Sequence, residues 1–477
     1  MENKMSKKSL FVVAVISLLF ISCLFFMPAC SIVGKKSSVS VESVEKTLTS
    51  GLTDTYTVTL SNGETFSFEV TNGRNGKDGT DGSVIISVEE LEKFCTKYGL
   101  DIKDLVGQAI IPTSTEKASD KAIKSAVGIL AEIPTYSYGK TVGRSFGAGI
   151  IYKMEDEFSY IMTNYHVVYN SNCNTATGIA RTIHAFQYGY VGDVKSQIGY
   201  DQYGYPTYDY TDGAIECSYV GGSMYHDIAI LKVKTSDLKS YNSQACQVEL
   251  SNGFGYGEDC IAVGNPEGEG TSITKGIISV ENEEITMKGA DNNSYLTFRV
   301  LRTDAAINGG NSGGGLFNLA GELVGIINAK ITDDDGIAYA LPVDNVTKVA
   351  DNLIFNYLET NKISSIKVLN FGVSYSLDTE LYTVVDATTG KTKTYDFFIV
   401  TSVTEDSVAQ RIGVKPGDII KSATINGKVF KINRYYEFVD LMLTIRKNDT
   451  IKVDVERENL NISLNNYTVT ENDLVSL

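Results

Sequence analysis

Proline is scarce in this sequence, 7 in 477 residues, and histidine is scarcer still at 3. Little proline beside 28 Tyr and 43 Gly favours β structure. No Cys-x-x-Cys pair occurs, so neither a zinc site nor a thioredoxin-like motif is indicated. No basic cluster lies outside the N-terminus, and the formal net charge is −16, which together argue against nucleic acid as a partner. What is present is a globular composition, 43% apolar and 21% charged, on a chain long enough for more than one core.

The one basic stretch opens a targeting segment over residues 1–30. Lys4, Lys7 and Lys8 precede an apolar run from Leu10 to Met27, then Pro28-Ala29-Cys30-Ser31. A positive region, an apolar region and a small residue before a cysteine resemble a bacterial lipoprotein signal, with Cys30 as the acylated residue. Met27 and Pro28 depart from that pattern, and the run has nearly the length of a membrane span, so an uncleaved helical anchor is the alternative. Cys23 is a weaker lipidation candidate. Each reading leaves the bulk of the chain outside the cytoplasmic membrane and tethered to it. Beyond Cys30 lie Cys95, Cys173, Cys217, Cys246 and Cys260, an odd set that leaves at least one unpaired. Cys173 and Cys217 stand near the two ends of a long insertion and are candidates to bridge it.

Residues 31–120 read as a spacer region. A polar stalk over 31–53 leads to a hairpin over 54–72, turned at Ser61-Asn62-Gly63-Glu64. Gly73, Gly76, Gly79 and Gly82 then recur every third residue, without the proline a triple helix needs. A short helix starts at Ser87, with Glu90 completing a capping box, and a connector follows over 101–120. Short apolar strands broken by Gly, Asn and Asp run through 121–350, among them Ala126–Leu130, Ser145–Tyr152, Ile228–Val233 and Leu323–Ile327. A Tyr/Gly-rich insertion over 169–222 interrupts them as a long surface excursion, and places His184 at the surface. A helix over Val346–Leu358 follows, then a second β-rich unit over 366–472 with one helix near Arg434–Arg446.

Three stretches carry chemistry. Ser312 sits in Thr303-Asp-Ala-Ala-Ile-Asn-Gly-Gly-Asn-Ser-Gly-Gly-Gly315, a turn on which a hydroxyl is displayed beside free backbone N–H groups. Asp227 opens the apolar strand Asp-Ile-Ala-Ile-Leu-Lys-Val, where a buried carboxylate needs a donor. His166 stands in Met162-Thr-Asn-Tyr-His-Val167, where a strand gives way to a turn. The order His…Asp…Ser across a β domain is the chymotrypsin order, not that of subtilisins or α/β-hydrolases.

These stretches, with Ser145-Phe-Gly-Ala-Gly-Ile-Ile151, Ala262-Val-Gly-Asn-Pro266 and Gly336-Ile-Ala-Tyr-Ala-Leu-Pro342, resemble the protease domain of the HtrA/Deg family of trypsin-fold serine endopeptidases. The resemblance covers 122–345 and implies a mainly β fold with a chymotrypsin-like double barrel. It implies Ser312 as nucleophile, His166 as base and Asp227 as its orienting carboxylate, with the N–H groups of Gly310 and Ser312 as the oxyanion hole. Asn311 holds the place of the trypsin aspartate and leaves the hole open to regulation. Ile307, Ile326, Ile327, Asn328 and Ala329 are the S1 candidates, favouring small aliphatic residues before the cut. The sequence departs from the family at Tyr165 and in the length of the insertion. No motif implies a metal or other cofactor.

The C-terminal unit resembles a PDZ domain in Asn370-Phe-Gly-Val-Ser374, Phe398–Val403 and Gly413-Val-Lys-Pro-Gly-Asp-Ile-Ile420. That implies capture of peptide C-termini by the loop at Phe371, Gly372 and Val373. The resemblances together imply misfolded or specific extracytoplasmic proteins as substrates and a homotrimeric assembly. The alternative from another class is a catalytically inactive pseudoprotease that serves as a peptide-binding adaptor at the cell surface.

Overall fold

The computed structural model describes residues 41–50, 53–60, 65–71, 114–136, 139–330, 336–377, 382–385 and 392–477, which fall into two compact units divided after Ile111. The first holds a three-stranded antiparallel sheet: β1 (Val41–Ser50), β2 (Thr53–Leu60) and β3 (Thr65–Thr71). β2 and β3 are the expected hairpin arms, in register from Thr53↔Thr71 to Thr59↔Thr65. β1 falls where a polar stalk was expected. It pairs antiparallel with β2 from Val41↔Leu60 to Ser50↔Thr53, with two register shifts, despite a sequence rich in Ser, Glu and Lys. The signal and lipidation residues, the 61–64 turn, the glycine triplets and the Ser87 helix lie outside the described residues. Among the described residues no helix is long and apolar enough to cross a membrane.

The second unit's first described element is helix α1 (Ser114–Ile123), which overlaps the end of the connector expected over 101–120, and the chain continues into two β layers. The first comprises β4 (Ala126–Tyr136), β5 (Lys140–Met154), β6 (Phe158–Thr163), helix α2 (Tyr165–Val168), β7 (Ile183–Gln187), β8 (Val194–Tyr200), β9 (Pro206–Tyr210), β10 (Ile215–Glu216), β11 (Ser218–Ser223) and β12 (Ile228–Lys234). Its seven-stranded sheet has the order β10-β7-β4-β5-β6-β12-β11. After helix α3 (Thr235–Tyr241) the second layer holds β13 (Asp259–Gly264), β14 (Ser272–Lys288), β15 (Tyr295–Thr303), β16 (Gly315–Asn318), β17 (Leu323–Lys330) and β18 (Ala338–Pro342), which close into a barrel. The fold is mainly β, as the sequence predicts.

The insertion is less of an excursion than its composition suggests. β7 pairs with β4 from Val127↔Gln187 to Ala131↔Ile183, and β11 pairs with β12. Residues 188–214, between β7 and β10, stand off the sheet and carry the β8–β9 hairpin. A buried ionic cluster holds that hairpin down. Glu132 on β4 is 1% exposed; it takes Arg181 Nη2 at 2.5 Å and Tyr210 Oη at 2.7 Å, while Arg181 Nη1 reaches Asp201 Oδ2 at 3.0 Å. His184 is therefore not at the surface. It is buried on β7 with its ring 3.9 Å from that of Tyr210. Cys173 and Cys217, candidates for a bridge, are buried free thiols.

One apolar cluster joins the two layers, drawing on Ile150, Met162 and Ile228 from the first, and on Ile261, Phe317 and Ile326 from the second. Helix α4 (Val343–Thr360) seals it with Val346, Val349 and Leu353. The C-terminal β unit has its own core around Phe371, Phe398 and Phe438, and contains helices α5 (Val408–Ile412) and α6 (Tyr435–Leu441). Helix α6 is clamped to the second layer. Arg299 of β15 bonds Asp344 at 2.8 Å and Asp440 at 2.9 Å, Arg434 reaches Glu281 at 3.3 Å, and Tyr435 Oη donates to Glu284 of β14.

Candidate active site

The site forms where the two layers meet, at the ends of three strands. β6 stops at Thr163, and Asn164 turns the chain into α2, one turn long, which carries His166. β12 lies antiparallel to β6 with Ala229 opposite Thr163, so Asp227, just before β12, falls beside α2. Asp227 adopts a left-handed φ of 48°. That strained corner is held by its own carbonyl, which accepts from Asn164 Nδ2 at 2.8 Å and from Tyr165 N–H at 3.2 Å.

The Asp227 carboxylate grips His166 twice. Oδ1 accepts from the His166 backbone N–H at 2.9 Å, and Oδ2 lies 2.7 Å from the ring Nδ1. Asn328 Nδ2 donates to the same Oδ2 at 3.1 Å. Asp227 is 6% exposed, so three donors meet a carboxylate shut away from water. Burial opposes a charge on His166, but the attraction and hydrogen bond of Asp227 outweigh it, and the ring's pKa lies above the usual histidine value. The other histidines go the opposite way. Burial pushes His226 down to about 4 and lowers His184. His166 is thus the histidine set apart by a bonded carboxylate.

Ser312 follows two residues after a left-handed glycine, Gly310 at φ 91°, and precedes another, Gly313 at φ 84°. A side chain at 313 would collide with the Ala148 carbonyl and Thr163 Oγ1, so only glycine brings the turn this close to β5 and β6. The Ser312 carbonyl accepts from Ala148 N–H at 2.8 Å. Its hydroxyl donates to the Asn328 carbonyl at 3.2 Å. Neither Gly310 N–H nor Ser312 N–H donates to a described backbone acceptor, whereas Asn311, Gly313 and Gly314 N–H groups are all engaged. The Asn311 side chain is buried, with Oδ1 left unpartnered.

The S1 candidates divide by strand alternation. Ile307 and Ile327 share one apolar cluster inside the second layer. Ile326 points to the opposite face of β17, into the core between layers. Ala329 stands on β17 opposite Tyr339. Asn328, predicted as pocket wall, touches both Asp227 and Ser312. That role was not visible in the sequence, because the contact to Asp227 spans 101 positions with no local pattern. A cavity of about 290 Å³ opens beside His166, Asp227 and Asn328, walled by Met224, Met287 and Phe298.

In the C-terminal unit, Phe371, Gly372 and Val373 border a second cavity of about 260 Å³ together with Phe398, Phe438 and Val475. Gly372 has φ 81°, and a side chain there would strike Ser407. Phe371 is 4% exposed, its ring edge-on to Phe438 at 5.1 Å.

Comparison with known proteins gives four findings. The trypsin-like peptidase domain family matches residues 147–326. The Staphylococcus haemolyticus protein "Serine protease HtrA-like" is 26% identical over 321 residues, 65% of this chain and 44% of that protein. The Lactococcus lactis protein "Serine protease Do-like HtrA" is 26% identical over 324 residues, 66% of this chain and 68% of that protein. The chain's match thus spans less than half the length of the first relative and about two thirds of the second. Among solved structures, a serine endoprotease from Yersinia pestis is 26% identical, with 76% of this chain and 98% of that one covered, at a TM-score of 0.40.

Proposed function

We propose that the chain is an HtrA-like serine protease, as its trypsin-like peptidase domain and HtrA relatives support, and that it cleaves misfolded or specific extracytoplasmic proteins through an acyl-enzyme formed on Ser312. The observation that carries the reading is the double grip of Asp227 on His166, at 2.9 and 2.7 Å. With Nδ1 committed to Asp227, Nε2 is the nitrogen left to receive a proton. The Ser312 hydroxyl leaves the Asn328 carbonyl and turns to Nε2. As its proton passes to His166, Oγ bonds the peptide carbonyl carbon. The tetrahedral oxyanion faces Gly310 N–H and Ser312 N–H. His166 then gives the proton to the leaving amine as the C–N bond breaks, and water releases the acyl group by the same route. Asp227 stabilises the imidazolium at each stage.

Substrate residues before the cut meet Ile307 and Ile327, which favours small aliphatic side chains. The C-terminal unit, read as a PDZ domain, binds peptide C-termini against Phe371, Gly372 and Val373. The basic-apolar N-terminus supports an extracytoplasmic chain tethered to the membrane, by lipid at Cys30 or by a helical anchor.

A serine-reactive fluorophosphonate tests the nucleophile. Wild type is expected to label and to digest an unfolded protein, and Ser312→Ala to do neither. Labelling that persists in Ser312→Ala sinks the assignment.

A further inference from the structure

Asparagine is among the residues that most often close the N-terminus of a helix, where the side-chain oxygen accepts an N–H of the first turn. Asn164 stands at that position before α2, at φ −76° and ψ 148°, yet its side chain makes no such bond. Asn164 and Asp227 have exchanged tasks. Asp227 Oδ1 takes the His166 backbone N–H at 2.9 Å, the cap that Asn164 would have supplied. Asn164 instead turns Nδ2 to the Asp227 carbonyl at 2.8 Å. The exchange leaves Asn164 Oδ1 with no hydrogen-bond partner among the described residues, in a side chain of 0% exposure. The amide cannot turn over to relieve this, because Oδ1 would then face the Asp227 carbonyl, acceptor against acceptor. An amide kept in place despite an orphaned buried acceptor is not explained by stability.

What the amide holds is the left-handed Asp227 corner, at φ 48°. At such a φ the Cβ crowds the backbone, and a residue not held there relaxes toward negative φ, carrying the carboxylate away from His166. Asn164 reaches the other two members of the proposed triad through its backbone. Its carbonyl accepts from Val167 N–H at 3.3 Å, in the turn that carries His166. Its nitrogen lies 3.0 Å from where a Cβ on Gly313, the residue after Ser312, would stand. We propose that Asn164 is a positioning residue of the peptidase reaction, acting through Asp227 to aim the carboxylate at His166. The proposal rests on the endopeptidase reading and adds to it a side chain that reaches the reacting atoms only through Asp227.

The test uses the full chain with Asn164→Leu. Leucine has nearly the shape of asparagine, so the variant removes the donor and the orphaned acceptor while filling the same space. The expected result is a kcat on the order of 100-fold lower, the loss that a small misplacement of a reacting group brings, with KM unchanged. The midpoint of the pH–rate profile is expected to fall as well, because the carboxylate that favours the His166 cation is no longer aimed at it. Denaturant unfolding sets the folded fraction, so that kcat is compared per folded molecule. A cycle with Asp227→Asn tests the route: in that background Asn164→Leu is expected to cost little more. A wild-type kcat, an unmoved pH midpoint, a loss confined to KM, or equal losses in both backgrounds overturns the proposal. If the leucine prevents folding, Asn164→Ala is read in the same way. A wild type that neither labels with the fluorophosphonate nor cleaves peptide removes the endopeptidase reading and this proposal with it, whereas a fully active Asn164→Leu removes this proposal alone.

Discussion

His166, Asp227 and Asn328 form a unit whose parts answer to different perturbations. The His166 pKa is set by a contest in which burial disfavours the cation and Asp227 favours it more. The base works when neutral, so activity is expected to rise with pH through a value above the ordinary ~6.5 of histidine. Asp227→Asn removes the winning side and leaves burial, so the profile is expected to move to lower pH. kcat is expected to fall on the order of 10³–10⁴-fold, because the tautomer is no longer enforced. A pH–rate profile of both forms checks this, and an unmoved midpoint in the variant contradicts it. The stability linkage has the opposite sense. A raised folded-state pKa stabilises fully below the unfolded value, and that contribution is lost as pH rises through the folded value. Thiols give a residue-scale check of a different kind. Cys246 is part-exposed and is expected to react with a thiol reagent in the native protein, whereas Cys173, Cys217 and Cys260 react only on unfolding.

At the scale of elements, His166, Asp227 and Ser312, the three residues of the proposed triad, were legible as candidates because each sits beside a strand end or turn that its own sequence announces. Thr163-Asn164 closes an apolar run, Asp227 opens one, and glycines flank Ser312. The insertion was not legible. Its Tyr, Gly and polar residues look solvated, yet Ile183, Ala185 and Ile215 bury one face of β7 and β10 against the first layer. The charged residues that read as surface are partners across long separations, Glu132 with Arg181 above all. Breaking that pair leaves a carboxylate at 1% exposure with no cation, for which a loss of about 3–5 kcal/mol is expected. Denaturant unfolding of Arg181→Ala measures it, and a loss under about 1 kcal/mol means that Tyr210 alone satisfies Glu132.

At the scale of the whole molecule, the sequence separates a peptidase from a C-terminal β unit by a break near 360–366. The structure ties them more closely than a break implies. Leu443 of the C-terminal unit packs into the core that joins the peptidase layers, and Asn352 of α4 donates to the Leu443 carbonyl at 2.7 Å. Arg299, 10% exposed, sits between Asp344 and Asp440. Residues so far apart in sequence have no periodicity to reveal them. Peptidase and C-terminal unit are expected to unfold in one calorimetric transition, and Arg299→Ala to split or broaden it. Two resolved transitions in the wild type contradict the shared core.

The turn that carries Ser312 also has a consequence for heredity. Its glycines are not equivalent. Gly313 is wedged against the Ala148 carbonyl, and Gly314 against the Val263 carbonyl, while a Cβ on Gly309 meets nothing within 4 Å. In a library of every substitution along this turn, codons for 313 and 314 are closed to all other residues by geometry alone. Gly309 is open to drift, so the run of glycines records two separate pressures on one stretch of gene.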